Sequence, residues 1–149
     1  IDNAMMKPVT RQSQVGVALL EVLIAILIVS FGILGIIGLQ ANSIALSSDA
    51  HYRVDAGAFA ERLIAEMWVD PMNLASYAYG GSGAVPAPLA TWYANLTTGS
   101  GALPGASTYK PTVTIGADNV VTVTIRWAPP GGTVHNHVVV ANINQNPEN

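Results

Sequence analysis

The chain has no cysteine, so no disulfide can staple its loops and any exported part must hold together by packing alone. Charge is nearly as scarce. Only 10% of the 149 residues are charged and half are hydrophobic, a composition that suits one ordered domain plus an anchor and not a disordered chain. After Gly16 the basic side chains are Arg53, Arg62, Lys110 and Arg126, against eight acidic ones, a balance of −4. Four scattered cations form no basic patch in the sequence, and such a balance is poorly suited to direct nucleic-acid binding through phosphate neutralisation. Catalytic frames are missing as well. Serine, histidine and aspartate all occur, but no GxSxG elbow orders them. The glycine-rich GGSG at residues 80–83 and GSGA at 99–102 lack the lysine and the following helix pattern of a phosphate loop. His135 and His137 flank Asn136, and on a strand they share one face, the spacing two metal ligands would have. No third ligand is marked, so they are expected to be surface or edge-strand histidines; the letters HNH alone do not bring a nuclease's metal context. The sequon Asn95-Leu96-Thr97 matters only in a glycosylating host and is read as accidental. No enzymatic activity, metal or cofactor is expected.

What the chain has is a long apolar run. Residues 17–39, VALLEVLIAILIVSFGILGIIGL, are enough as a helix to cross a hydrocarbon core of roughly 30 Å, and Glu21 is their only charge. A carboxylate within such a segment costs roughly 2.5–3.5 kcal/mol on insertion scales, so a partner that offsets it is expected. An amine is the best candidate, and cutting the chain would make one. Before the run lies MKPVTRQSQVG, short and polar, with Lys7 and Arg11 and a terminal glycine. A secretory signal has its small-residue cleavage site after the apolar stretch; here the small residue stands before it. Cleavage after Gly16 would leave the run on the mature protein and give Val17 a free α-amino group. Lys7 and Arg11 precede the run, whereas the first charges after it are Asp49 and Arg53, so the positive-inside tendency keeps the leader, residues 1–16, in the cytoplasm and puts the rest outside. Residues 1–5 are read as a scar or an overlong start, and nothing is built on them.

Gly16 before the cut and Glu21 at the fifth mature position resemble the type IV prepilin signal. The segment EVLIAILIVSFGILGIIGLQ is similar to the anchor of PilV-type minor pilins, and YRVDAGAFAERLIAEMW, Trp92, LPGA and VTVTIRW follow in the order of that group. Val17 departs from the usual phenylalanine and Ala18 from the common serine or threonine, and the lack of cysteine departs from the many pilins that staple a C-terminal loop. The resemblance implies processing by a prepilin peptidase, N-methylation of Val17, and passage from the inner membrane into an extracellular pilus with roles in adhesion and twitching motility. It implies partnership with other minor pilins, the major pilin and the inner-membrane assembly platform. It also implies an α+β, pilin-like fold: a long N-terminal helix, half transmembrane and half amphipathic, packed on a small antiparallel sheet.

The residues support that fold independently. No proline interrupts residues 40–70, and Tyr52, Ala56, Phe59, Ala60, Leu63, Ile64 and Met67 recur at three- and four-residue steps, one amphipathic face. Asp70-Pro71 supplies the stop. A helix over residues 17–70 would measure roughly 80 Å. Residues 71–111, rich in Gly, Ala, Ser and Pro, are expected to be mostly loop with one short helical turn near 92–96. Strands are expected over residues 112–115, 120–127 and 133–143, with residues 116–119 as a hairpin turn and 144–149 as a tail. Val121, Val123, Ile125 and Trp127 alternate with polar residues, and the amphipathic half of the long helix is the natural cover for that apolar face.

Two features of the apolar run have two readings each. Glu21 either pairs with the Val17 α-amine of an adjacent subunit, setting axial register as subunits enter a fibre, or sits at the helix start favoured by the macrodipole and by snorkelling. Gly32, Gly35 and Gly38, at three-residue spacing, either permit close approach of a neighbouring helix or reflect the general frequency of glycine in membrane helices. The function expected is a minor pilin that initiates, primes or caps a pilus. The alternatives are a minor pseudopilin of a type II secretion system and, from a different class, a signal-anchored periplasmic enzyme or binding domain.

Overall fold

The structure is a computed structural model that describes residues 15–144. Lys7 and Arg11 of the leader and the tail from residue 145 lie outside the described residues. The layout is α+β, consistent with a pilin-like fold: a long N-terminal helix α1 (Val15–Val69), a short helix α2 (Ala90–Thr97), and a three-stranded antiparallel sheet of β1 (Thr112–Ile115), β2 (Val120–Trp127) and β3 (His135–Asn142) in the order β1-β2-β3. The chain divides into two units with the boundary between Ala45 and Leu46, so α1 contributes to both.

In the first unit, residues 16–45 of α1 are exposed without exception, including its many Leu, Ile and Val side chains. This helix is long and apolar enough to cross a membrane by length and composition, with a mean hydropathy of 3.0 over its most apolar stretch. Its single hydroxyl in the middle, Ser30, donates to the Ile26 carbonyl at 2.7 Å, which satisfies a polar group that lipid could not.

The second unit is built where the pattern changes. From Tyr52 onward the apolar residues recur at helical spacing, and Ala56, Ala60, Leu63 and Met67 are all fully buried, flanked by half-buried Tyr52, Phe59 and Ile64. The opposing layer is the inner face of β2, where Val121, Val123, Ile125 and Trp127 are buried and alternate with half-buried Thr122, Thr124 and Arg126. Each fully buried large apolar side chain contributes about 1.5–3 kcal/mol relative to exposure. With no disulfide, this two-layer core is what holds the unit. Asp70 leaves the helical region at φ −127°, ψ 58°, as the residue before Pro71 must, so α1 ends at Val69, one residue short of the expected bound.

The connection after α1 is more helical than its composition suggests. A 3-10 helix at Pro71–Tyr77, another at Ala87–Leu89 and then α2 occupy much of it. Pro71 opens the first of these turns and Pro88 is the second residue of the other, positions where a missing N–H costs nothing. Leu74, Tyr77, Leu89, Trp92 and Leu96 insert into the core from these turns. Trp92 Nε1 donates to the Phe59 carbonyl at 2.8 Å, which ties α2 to α1. The LPGA segment fastens the loop to the sheet, since Leu103 and Ala106 are buried and the Pro104 carbonyl accepts from Ala128 N at 2.8 Å, just past the end of β2.

The first two strands have the expected bounds, and the hairpin between them turns through Asp118 and Asn119 at φ 54° and 55°. These two residue types tolerate the left-handed region best after glycine. The third strand begins at His135, not at residue 133. Trp127 pairs with His135 and Ala128 then turns away to Pro104, so residues 133–134 have no neighbouring strand to join. At the other end Ile143 is fully buried and bonds Asn119 O at 3.1 Å, just beyond β3.

Candidate functional site

Gly16, Val17 and Glu21 lie in the first turns of α1, and all three are exposed. Val17, Leu20, Glu21 and Ile24 line one shallow surface of the helix, so the carboxylate sits among aliphatic side chains. Among the described residues Glu21 has no ion-pair partner; the four ion pairs present are all in the second unit. Nothing within the described chain therefore offsets its charge.

Gly32, Gly35 and Gly38 sit in uninterrupted helix, and a Cβ added at any of them would meet nothing within 4 Å. Their side of the helix is open, which leaves both readings of these glycines standing.

His135 and His137 fall on β3, an edge strand, and share its inner face. His135 Nε2 lies 3.3 Å from Asp49 Oδ1, and its ring stacks on Trp127 with centroids 5.6 Å apart. Asp49 Oδ2 also accepts from Arg53 Nε at 3.1 Å. His137 approaches α1 at Gly57, where an added Cβ would lie 3.8 Å from Nε2. The pair thus packs a strand edge against a helix. Among the described residues no group of three or more His, Asp or Glu side chains could hold a metal.

A grouping that the sequence pattern does not announce lies on the outer face of the sheet. Lys110 and Arg126 line one polar groove of about 490 Å³ with Gly80, Gly81, Thr108, Tyr109 and Thr112. Arg126 Nη1 donates to the Lys110 carbonyl at 3.2 Å. The other two cations of the described chain are engaged by carboxylates, Arg53 by Asp49 and Arg62 by Glu66 at 3.4 Å. Strand register is the signal that could have found it. With Thr112 opposite Thr124 in an antiparallel pair, stepping two residues outward brings position 110 across from 126. Two cations remain too few for a phosphate-tracking surface.

No family model matches the chain, and no curated protein or solved structure matches it.

Proposed function

We propose that the chain is a minor pilin subunit of a type IV pilus. In this reading it is made as a prepilin, cut after Gly16 by a membrane prepilin peptidase and N-methylated at Val17. Before assembly it is held in the inner membrane by α1, with its N-terminus cytoplasmic and its head periplasmic. It then enters the pilus with other minor pilins and the major pilin, through the inner-membrane assembly platform, and helps to initiate, prime or cap the fibre. The head is a structural module and not a catalyst.

One observation carries the reading: an exposed apolar run at the start of α1 whose only charge, Glu21, stands close after a Gly-Val junction and has no cation within the described chain to meet it. The magnitudes favour a partner from another subunit. Leaving the acid in lipid costs roughly 2.5–3.5 kcal/mol. An amine about 4 Å away gains about 4 kcal/mol at an effective dielectric constant near 20, enough to offset that cost. The macrodipole alone supplies about 0.3–1 kcal/mol and does not.

Intact-mass spectrometry of protein from host membranes and sheared pili tests the processing step. The expected mass begins at Val17 with one added methyl group, and Gly16→Ala should stay uncut while still inserting. Glu21→Gln should be processed normally and accumulate in the membrane but fail to enter pili. A leader still attached in mature appendages would overturn the assignment. Normal incorporation of Glu21→Gln would overturn the pairing.

A further inference from the structure

We propose that the groove on the outer face of the sheet binds a carboxylate-bearing saccharide of the uronic-acid type. The charge distribution comes first. In a chain whose balance after Gly16 is −4, the two cations of the described residues that lack a carboxylate partner, Lys110 and Arg126, line the same groove, and no acidic side chain lines it with them. Arg126 uses one N–H on the Lys110 carbonyl, which aims the guanidinium and leaves the rest of its donor fork for a ligand oxyanion. Lys110 adds a second, mobile charge.

The remaining lining suits a sugar. Thr108, Thr112 and Tyr109 present hydroxyls that can both donate and accept, as a polyhydroxylated ring requires. Tyr109, 40% exposed as a residue, brings an aromatic ring to the same lining. Gly80 and Gly81 form a side of the groove with no side chain. At Gly81 the backbone has φ +82°, and an added Cβ would lie 3.2 Å from Thr112 Cγ2, so both the turn and the close approach to Thr112 require glycine. The volume falls within the range of small-molecule sites. An acidic peptide fits less well, because no apolar pocket in the groove would take an anchoring side chain. A nucleic-acid strand would need a longer run of cations and stacking rings than one tyrosine supplies.

The test uses the full chain in non-ionic detergent micelles at low salt, with digalacturonate as the probe and binding read by calorimetry or by saturation-transfer NMR. Digalacturonate should bind saturably, and the neutral disaccharide of galactose should bind about tenfold more weakly for want of the charge-assisted bonds. Lys110→Gln and Arg126→Gln should each weaken binding about five- to tenfold, a loss discounted for solvent exposure. Arg62→Gln makes the same charge change elsewhere and should leave affinity unaltered. Lys110 is exposed on the surface, so its variant keeps the test valid even if Arg126→Gln perturbs the hairpin. The proposal is overturned if digalacturonate does not bind, if the neutral disaccharide binds equally well, or if Arg62→Gln weakens binding as much as Lys110→Gln. Equal affinity for inorganic phosphate or for tetra-aspartate overturns it too, since the groove would then select charge without the sugar.

Discussion

Two buried tryptophans provide a matched test of what stabilises the head. Trp92 and Trp127 are 3% and 1% exposed, but only one of them has a bond to lose. Trp92 Nε1 donates to the Phe59 carbonyl across α2 and α1, whereas Trp127 Nε1 has no hydrogen-bond partner among the described residues. Replacing either by phenylalanine leaves a cavity on the order of 40 Å³, worth about 1 kcal/mol at about 24 cal/mol per Å³. For Trp92→Phe the lost hydrogen bond adds about 1 kcal/mol. The Phe59 carbonyl lies within α1 and keeps its helical environment, so no large desolvation penalty is added, and the total is about 2 kcal/mol. For Trp127→Phe the substitution deletes an unpaired buried donor whose desolvation costs about 1–3 kcal/mol, which offsets the cavity. That variant should be near neutral, with its ring still stacked on His135. Hydrogen exchange of the β2 amides in the full chain reads the opening of the head without requiring the long apolar helix to unfold. Protection should fall about thirtyfold in Trp92→Phe and little in Trp127→Phe, from the tenfold-per-1.4 kcal/mol conversion. If Trp127→Phe costs as much as Trp92→Phe, the hydrogen-bond reasoning is wrong.

Two further outcomes follow from the packing. Gly105→Ala should destabilise the head by about 1–2 kcal/mol, because Gly105 has φ +72° and an added Cβ would lie 3.3 Å from both Ala128 N and Ala128 O; Gly101→Ala, where the space is open, is the control, and equal exchange protection in the two variants would refute the close-approach argument. The head should also lose stability in alkali. Burial, and then the carboxylates of Asp70 and Glu66, raise the Tyr77 pKa above its ordinary 10.0, and burial together with the adjacent Tyr79 phenol raises that of Tyr93. Both phenols are therefore favoured neutral in the folded state, so their contribution is complete below pH 10 and is lost as pH rises through the folded pKa values. Tyr77→Phe should flatten the alkaline limb of a stability profile, and an unchanged limb in both Tyr77→Phe and Tyr93→Phe would exclude these groups as its cause.

Much of the architecture was legible because local physics is strong there. The apolar run can only be helical if it crosses lipid, since every backbone group must be satisfied within the segment. The steps from Tyr52 to Met67 and the alternation from Val121 to Trp127 each admit one period. Residues 71–111 were less legible. Their small, proline-rich composition reads as loop, yet Leu74, Leu89, Trp92 and Leu96 are spaced so that the core draws the backbone into turns around them. Propensity is a weak prior, and burial overrode it.

By itself the sequence determined the long apolar run, the lone acid behind a glycine junction, the helix that carries them, and the apolar face of the central strand, because each depends on neighbours along the chain. Only the tertiary structure decided where β3 begins, that His135 meets Asp49 and Trp127 instead of a metal-like cluster, and that Lys110 and Arg126 share a groove. Those outcomes depend on strand register and on which residue leaves the ladder first. A one-residue slip of β3 along β2 would have turned His135 and the rest of the β3 inner face to the opposite side of the sheet.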